Sequence, residues 1–386
     1  MQRVVLIIIF VFALLGCKNH FLSPNFKQEY FHSASLLFID TIKISVLTES
    51  ASYFWQTDLL DNRFLYGFSP FSPSPLTMSV FDLQEKQFLQ VIDFDKNLLN
   101  ATRIDNFKVV SSDSILIATW PNRSIFLTDG SGKILSAWNN DDLAISGSED
   151  EYVSKTDFSI SNNSYLENMT YDRNTMLIYL PLDLPYDAAL KEHIPAKRHG
   201  VYNTSLKKWQ ALYGAYEGTL KRTNGGRYFY DMEYSYQLIT KDYIYITYPA
   251  DHSVYIYNNG TFQLERSLDI SPSMATKTPE PLYGIDANDD GKLNKLRRTA
   301  PFYGPLYYHD AIDKFSRFYN EAAKENKPAQ RVLIIYDARF NILEERTFSL
   351  QQISHIQPSP TGFIIQPYNT MDADRATFVR VEIIDK

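Results

Sequence analysis

The sequence predicts an all-β protein, a six-bladed β-propeller closed by an amino-terminal strand. Three observations carry that expectation. Aromatic residues suited to pleated, half-buried surfaces are abundant, with 27 Tyr and 25 Phe in 386 residues. Apolar residues come in short alternating runs bounded by turn residues, and helical periodicity is scarce. A two-part unit also recurs six times, at a mean spacing of about 60 residues.

The first part of each unit is a polar turn followed by an apolar strand. Its copies begin at Asn62, Asp113, Asn174, Asp242, Asp313 and Thr361. The best helical candidate, residues 310–325, contains Asp313 to Phe318, which alternates as a strand does. The second part is an apolar run ending in a hairpin turn. It reads from Ser79, Ser124, Gly200, Ser253, Val332 and Phe378. A further β run follows each of the first five, as in Lys133 to Trp138. Units of about four strands read as propeller blades. The last unit stops after its third strand, so its fourth must come from elsewhere, and Leu36 to Ile44 can supply it. Closure removes both exposed sheet edges. Two β-sandwiches are the competing architecture, and seven blades compete with six.

Arg3 is followed by an apolar run from Val4 to Leu15, too short to cross a hydrocarbon core of about 30 Å as a helix. The layout is that of a secretory signal. Leu14-Leu15-Gly16-Cys17 resembles the lipobox of bacterial lipoproteins, and Cys17 is the only cysteine. That resemblance implies a diacylglycerol on the Cys17 thiol and an acyl chain on its new amino group, together a stable anchor. With its thiol used, the mature chain forms no disulfide and relies on core burial. The expected division is a signal peptide at 1–16, a lipidated Cys17 with tether at 17–35, and one propeller domain at 36–386.

Lys18 stands where an Asp would resemble an inner-membrane retention signal, and Asn19 to Pro24 lack the acidic run of a surface-export tag. The expected address is therefore the periplasmic face of an outer membrane, with the membrane as partner through the lipid anchor. Net charge is −7 with both signs spread along the chain, which argues against a nucleic-acid surface.

The lipobox, blade turns such as Tyr336-Asp337, and the run Pro301-Phe302-Tyr303-Gly304-Pro305-Leu306-Tyr307-Tyr308 resemble the six-bladed propeller lipoproteins of Bacteroidota, a family of unknown function. The resemblance implies fold and address, and brings no activity with it.

The long segments 139–165, 213–234 and 270–305 fall between blades, and 181–199 and 320–330 between second and third strands. Propeller geometry puts both kinds at one face, and long connections on a rigid scaffold are where function concentrates. That face should hold His199, Arg222, Arg227, Tyr228, Asp231, Arg297, Arg298 and Tyr303, with Asp251 and His252 beside them. Arginine forks pair bidentately with planar oxyanions, and tyrosines offer apolar faces, so the expected ligand is an acidic glycan, a peptide or a protein partner. Arg227, Tyr228, Arg298 and Tyr303 should line the mouth of the axial funnel, just ahead of innermost strands at 231–236 and 306–310. His252 shares a repeat position with Arg123, which favours a structural hairpin role.

Asp286, Asn288 and Asp290, followed by Gly291, match the start of an EF-hand-like calcium loop, but its twelfth position is Arg297. A plain polar turn competes with calcium, and no other cofactor is expected. The histidines show no zinc spacing, and there is no nucleophile elbow, P-loop or dinucleotide fingerprint. The expected function is non-catalytic binding or scaffolding at the outer membrane. The alternative is a glycan hydrolase or lyase using loop carboxylates and His199.

Overall fold

The computed structural model describes residues 36–45, 54, 56–68, 76–120, 124–139, 142–143, 169–182, 197–214, 235–270, 272–275, 277–278, 299–322, 330–349, 355–367 and 375–384. The described residues form six four-stranded antiparallel sheets. The first is β2 (Gln56–Leu60), β3 (Phe64–Phe68), β4 (Thr77–Asp82) and β5 (Gln87–Asp93). The second is β6 (Arg103–Ser111), β7 (Ser114–Trp120), β8 (Ile125–Thr128) and β9 (Ile134–Trp138). The third is β10 (Thr170–Asp172), β11 (Leu177–Pro181), β12 (His199–Asn203) and β13 (Lys208–Tyr213). The fourth is β14 (Tyr236–Ile239), β15 (Tyr243–Thr247), β16 (Val254–Asn258) and β17 (Leu264–Leu268). The fifth is β18 (Phe302–His309), β19 (Lys314–Asn320), β20 (Gln330–Asp337) and β21 (Ile342–Ser349). The sixth combines β22 (His355–Ser359), β23 (Gly362–Gln366) and β24 (Arg375–Ile383) with β1 (Leu36–Ser45).

β1 pairs antiparallel with β24, from Leu36 opposite Ile383 to Ser45 opposite Arg375. The amino-terminal strand thus completes the last blade, as the sequence predicts. First strands of neighbouring blades meet around the axis: β2 with β6, β6 with β10, β14 with β18, β18 with β22, and β22 with β2. These innermost strands are sheet edges, which is why Pro305 and Pro358 fit there without breaking a ladder.

Each of the six buried apolar clusters among the described residues lies between two adjacent blades. The seam between the sixth and first blades sets Ile42 and Ile44 of β1, with Ile364 and Phe378, against Leu65 and Phe81. Phe54 inserts there, 5.4 Å from Phe81 and 6.2 Å from Phe378 between ring centroids. It lies so close over Gly67 that a Cβ there would stand 2.4 Å from its ring. Burying Ile42 and Ile44 contributes about 1.5–3 kcal/mol each, so closure is a packing event as much as a hydrogen-bonding one.

Local chemistry sets the hairpins. The turns joining third to fourth strands open on Asp82, Asp129, Asn203, Asn258 and Asp337, whose side-chain oxygens accept backbone N–H groups two to four residues on. Near the end of each turn one residue is left-handed: Lys86, Gly132, Lys207, Phe262 and Phe340. The register then slips by one residue in all five hairpins, a bulge that re-enters the ladder. One helical turn, Lys96–Leu99, leads into β6, and no helix among the described residues is long and apolar enough to cross a membrane.

Candidate functional site

Antiparallel order from inner to outer strand places two kinds of connection at opposite ends of the ring. Turns joining first to second and third to fourth strands hold two to five residues. The opposite end carries the connections 139–169, 182–198, 214–235 and 269–301. It is also where buried polar side chains bridge the blades.

Between the first two blades, Gln56 Nε2 donates to Asn106 Oδ1 at 2.8 Å and to the Phe107 carbonyl at 3.1 Å. Below it, Asp58 accepts from Lys108 Nζ at 2.9 Å and from the Val109 N–H at 2.7 Å. Between the sixth and first, Thr57 donates to Gln357 Oε1 at 2.8 Å and lies 2.5 Å from His355 Nε2. With its own proton committed to Gln357, Thr57 accepts from His355 Nε2–H. The His355 Nδ1 lone pair then faces inward with no hydrogen-bond partner among the described residues. Burial, helped by the nearby Arg331 charge, drops the His355 pKa to about 4. Arg331 is itself buried, donating from Nε to Asn320 Oδ1 at 2.9 Å with its guanidinium over Phe318.

His199 repeats the pattern between the third and fourth blades. It is fully buried, 2.7 Å from Ser235 Oγ through Nε2 and stacked on Tyr213, and its Nδ1 also has no partner among the described residues. Burial, with Arg198 adding to it, pushes its pKa down to about 3. Between the fourth and fifth blades the fully buried Arg317 donates to the carbonyls of Gly304 (2.9 Å), Tyr248 (2.8 Å) and His252 (3.4 Å), over the Tyr303 ring. Three carbonyls and a ring face surround this cation, and desolvation lowers its pKa.

Two of the residues expected at the ligand face are thus interior. Tyr303 is 1% exposed and donates to the Ala275 carbonyl at 2.6 Å. The sequence reading put it ahead of the innermost strand, but β18 starts four residues earlier than expected. Gly304-Pro305 reads as a strand boundary, yet a bulge between Tyr303 and Leu306 carries the pairing through it. β14 likewise begins at Tyr236, where the expected innermost strand ended. His199, the expected acid or base of the catalytic alternative, is sealed and held neutral far below the range where general acid–base work at neutral pH is efficient. Asp251 is buried and accepts from Ser253 N–H and Tyr255 Oη, while His252 sits 2.6 Å from Asp269 across its hairpin.

Cys17, Arg222, Arg227, Tyr228, Asp231, Asp286, Asn288, Asp290, Arg297 and Arg298 lie outside the described residues. No group of three metal-ligating His, Cys, Asp or Glu side chains occurs among those that are described. Sequence reasoning missed Thr57, Arg317, Arg331 and His355. Arg317 carried one faint signal, a cation set between Phe315 and Phe318 in a strand-like run.

Among curated proteins nothing matches the chain. The chain is similar to a crystal structure of a DUF4221 family member from Bacteroides vulgatus, at 14% identity and a TM-score of 0.67, over 92% of this chain and 100% of that one. It is also similar to a Bacteroides fragilis protein at 9% identity and a TM-score of 0.52, over 91% and 96% of the two chains. At such identities the likeness carries the fold alone. The model of the Domain of unknown function (DUF4221) matches residues 33–347, and the chain therefore belongs to the DUF4221 family.

Proposed function

We propose that the protein is a lipoprotein, anchored through Cys17 to the periplasmic face of the outer membrane, that acts as a non-catalytic binding or scaffold propeller. Its partner is an acidic glycan, a peptide or a protein, met at the axial mouth of the long-connection end. The observation that carries the reading is the asymmetry of the ring. Every connection longer than ten residues leaves one end, the end whose buried core holds Arg198, Arg317 and Arg331. Buried cations beneath a mouth favour an anion above it.

Arg227, Tyr228, Asp231 and Arg298 belong to two of those connections and are the proposed contacts. His199 and Tyr303 support them from inside the ring. A charge-assisted contact contributes roughly 1.5–3 kcal/mol, so losing one weakens binding about tenfold to over a hundredfold. The test is a binding screen of acidic and neutral glycans and peptides against the unaltered protein, Arg227→Ala and Arg298→Ala. A hit that binds all three equally places the site elsewhere. Asp286, Asn288 and Asp290 are the proposed calcium ligands. If calcium leaves the melting temperature of the unaltered protein and of Asp286→Ala unchanged, that part fails.

A further inference from the structure

We infer that the tip of the third blade is a second membrane contact, which seats the ring with its tight-turn end on an anionic lipid surface. The inference rests on the lipid-anchor reading and adds an orientation to it.

β1 fixes where the anchor approaches. Leu36 pairs with Ile383 at the tight-turn end, and Ser45 pairs with Arg375 at the other. The chain ahead of residue 36 therefore joins the ring at the tight-turn end of the sixth blade. Residues 18–35 span at most roughly 60 Å when fully extended, too long a reach to set an orientation alone. A second contact far from the first would set it, and in a ring of six the third blade stands opposite the sixth.

Leu206 is 61% exposed, the most exposed large apolar side chain among the described residues. It precedes the left-handed position of its turn. At the same place in the other four turns stand Glu85, Ser131, Thr261 and Arg339, all exposed and polar. Asn203 Oδ1 accepts the Leu206 N–H at 2.9 Å, so the leucine is presented by a pinned turn. Met176, 38% exposed, belongs to the neighbouring turn and accepts from the Thr204 N–H and Oγ1. Lys207 and Lys208 follow directly and are exposed. Close by, Arg173 is engaged with Asp113, and Asp172 with Asn174 and Thr175. The tip thus offers two apolar side chains beside two ammonium groups that have no ion-pair partner among the described residues, on a protein of net charge −7. Apolar groups suit the boundary between headgroups and acyl chains, and lysine suits anionic headgroups. The long-connection end then faces away from the bilayer.

The full lipid-modified protein is reconstituted in phosphatidylethanolamine–phosphatidylglycerol vesicles, with a polarity-sensitive fluorophore on Leu206→Cys or, at the other end of the same blade, on Lys197→Cys. Unchanged melting curves confirm that both fold. Nitroxide lipids should quench the label at 206 and spare the one at 197. Adding Lys207→Glu and Lys208→Glu should cut the ratio of quenched to unquenched label roughly 25-fold or more, about fivefold per lysine. Protein that floats with vesicles while both labels escape quenching would overturn the seating and leave the anchor standing. A blue-shifted but unquenched label at 206 would assign the patch to a second copy of the chain and also overturn it. Failure of the unaltered protein to float would remove the anchor, and this inference with it.

Discussion

The two ends of this ring solve the same problem, satisfying polar groups where strands stop, by opposite means. At the tight-turn end the solution is local. Asp82, Asp129, Asn203, Asn258 and Asp337 each cap the backbone of their own turn. The buried His309 there is the exception that crosses a seam, and it is fully used, Nδ1 donating to the Ser359 carbonyl of the next blade and Nε2 accepting from Ser316 Oγ. At the other end the partners come from different blades, and His199 and His355 each keep an Nδ1 with no partner among the described residues. Local satisfaction leaves a turn nothing to offer a ligand. Satisfaction across a seam couples blades and leaves hydrogen-bonding capacity where the long connections gather.

Four experiments break or sharpen this contrast. The largest effect tests the closed ring on which both ends depend. A variant lacking residues 18–48 loses β1, whose Leu36, Ile42 and Ile44 are buried, and leaves an open edge. Urea unfolding should lose its cooperative transition. A transition matching that of the unaltered protein would show that the ring does not need this strand.

Next comes Arg317→Met, aimed at the long-connection end alone. It leaves the carbonyls of Gly304 and Tyr248 buried without their donor, and each orphaned carbonyl should cost about 1–3 kcal/mol. A melting temperature within a degree of the original would mean that the fourth and fifth blades are not pinned there.

Acid is the third lever. His199, His309 and His355 have folded pKa values of about 3, 4 and 4 against 6.5 when unfolded. Below pH 6.5 the unfolded chain binds more protons, so stability is full above 6.5 and falls as pH drops toward 4. The loss is about 1.4 kcal/mol per pH unit per histidine. His199→Gln and His355→Gln together should remove about two thirds of that slope, measured by urea unfolding at pH 7 and pH 5. A slope unchanged by both substitutions would assign the acid sensitivity to other groups.

The smallest effect belongs to the tight turns. Lys86→Gly relieves a left-handed lysine and should stabilise by roughly 0.5–1 kcal/mol. Gly132→Ala should destabilise by more, since its φ is +89° and a Cβ would stand 2.7 Å from the Asp93 carbonyl oxygen. Chemical denaturation of both settles whether backbone strain accumulates at this end.

The blades were legible in the sequence because alternation is a local property. The copies beginning at Asn62, Asp113 and Asp313 lead into β3, β7 and β19, and those from Ser79 and Val332 into β4 and β20. Even the borrowed β1 was visible, since an unfinished last blade asks for a strand and Leu36 to Ile44 alternates. The buried polar lining was not legible. Arg317 is surrounded by acceptors up to 69 positions away, and His355 reaches Thr57 across 298. Tyr303 and His199 were read as surface residues because they fall within the long segments 270–305 and 181–199, which propeller geometry gathers at one face. Here a bulge and a facing blade took them inside.

One consequence follows from which strand closes the circle. β1 and β24 are the described strands farthest apart along the chain, yet Leu36 pairs with Ile383. Until that pairing forms, β1 keeps an apolar face and an open edge unsatisfied, because more than 300 residues separate it from its partner. The first five blades can each pair within a local stretch of chain, but the last seam sets only when β24 joins β1. Loss of a dozen residues from the carboxyl terminus would strip β1 of its partner and unlatch the whole ring.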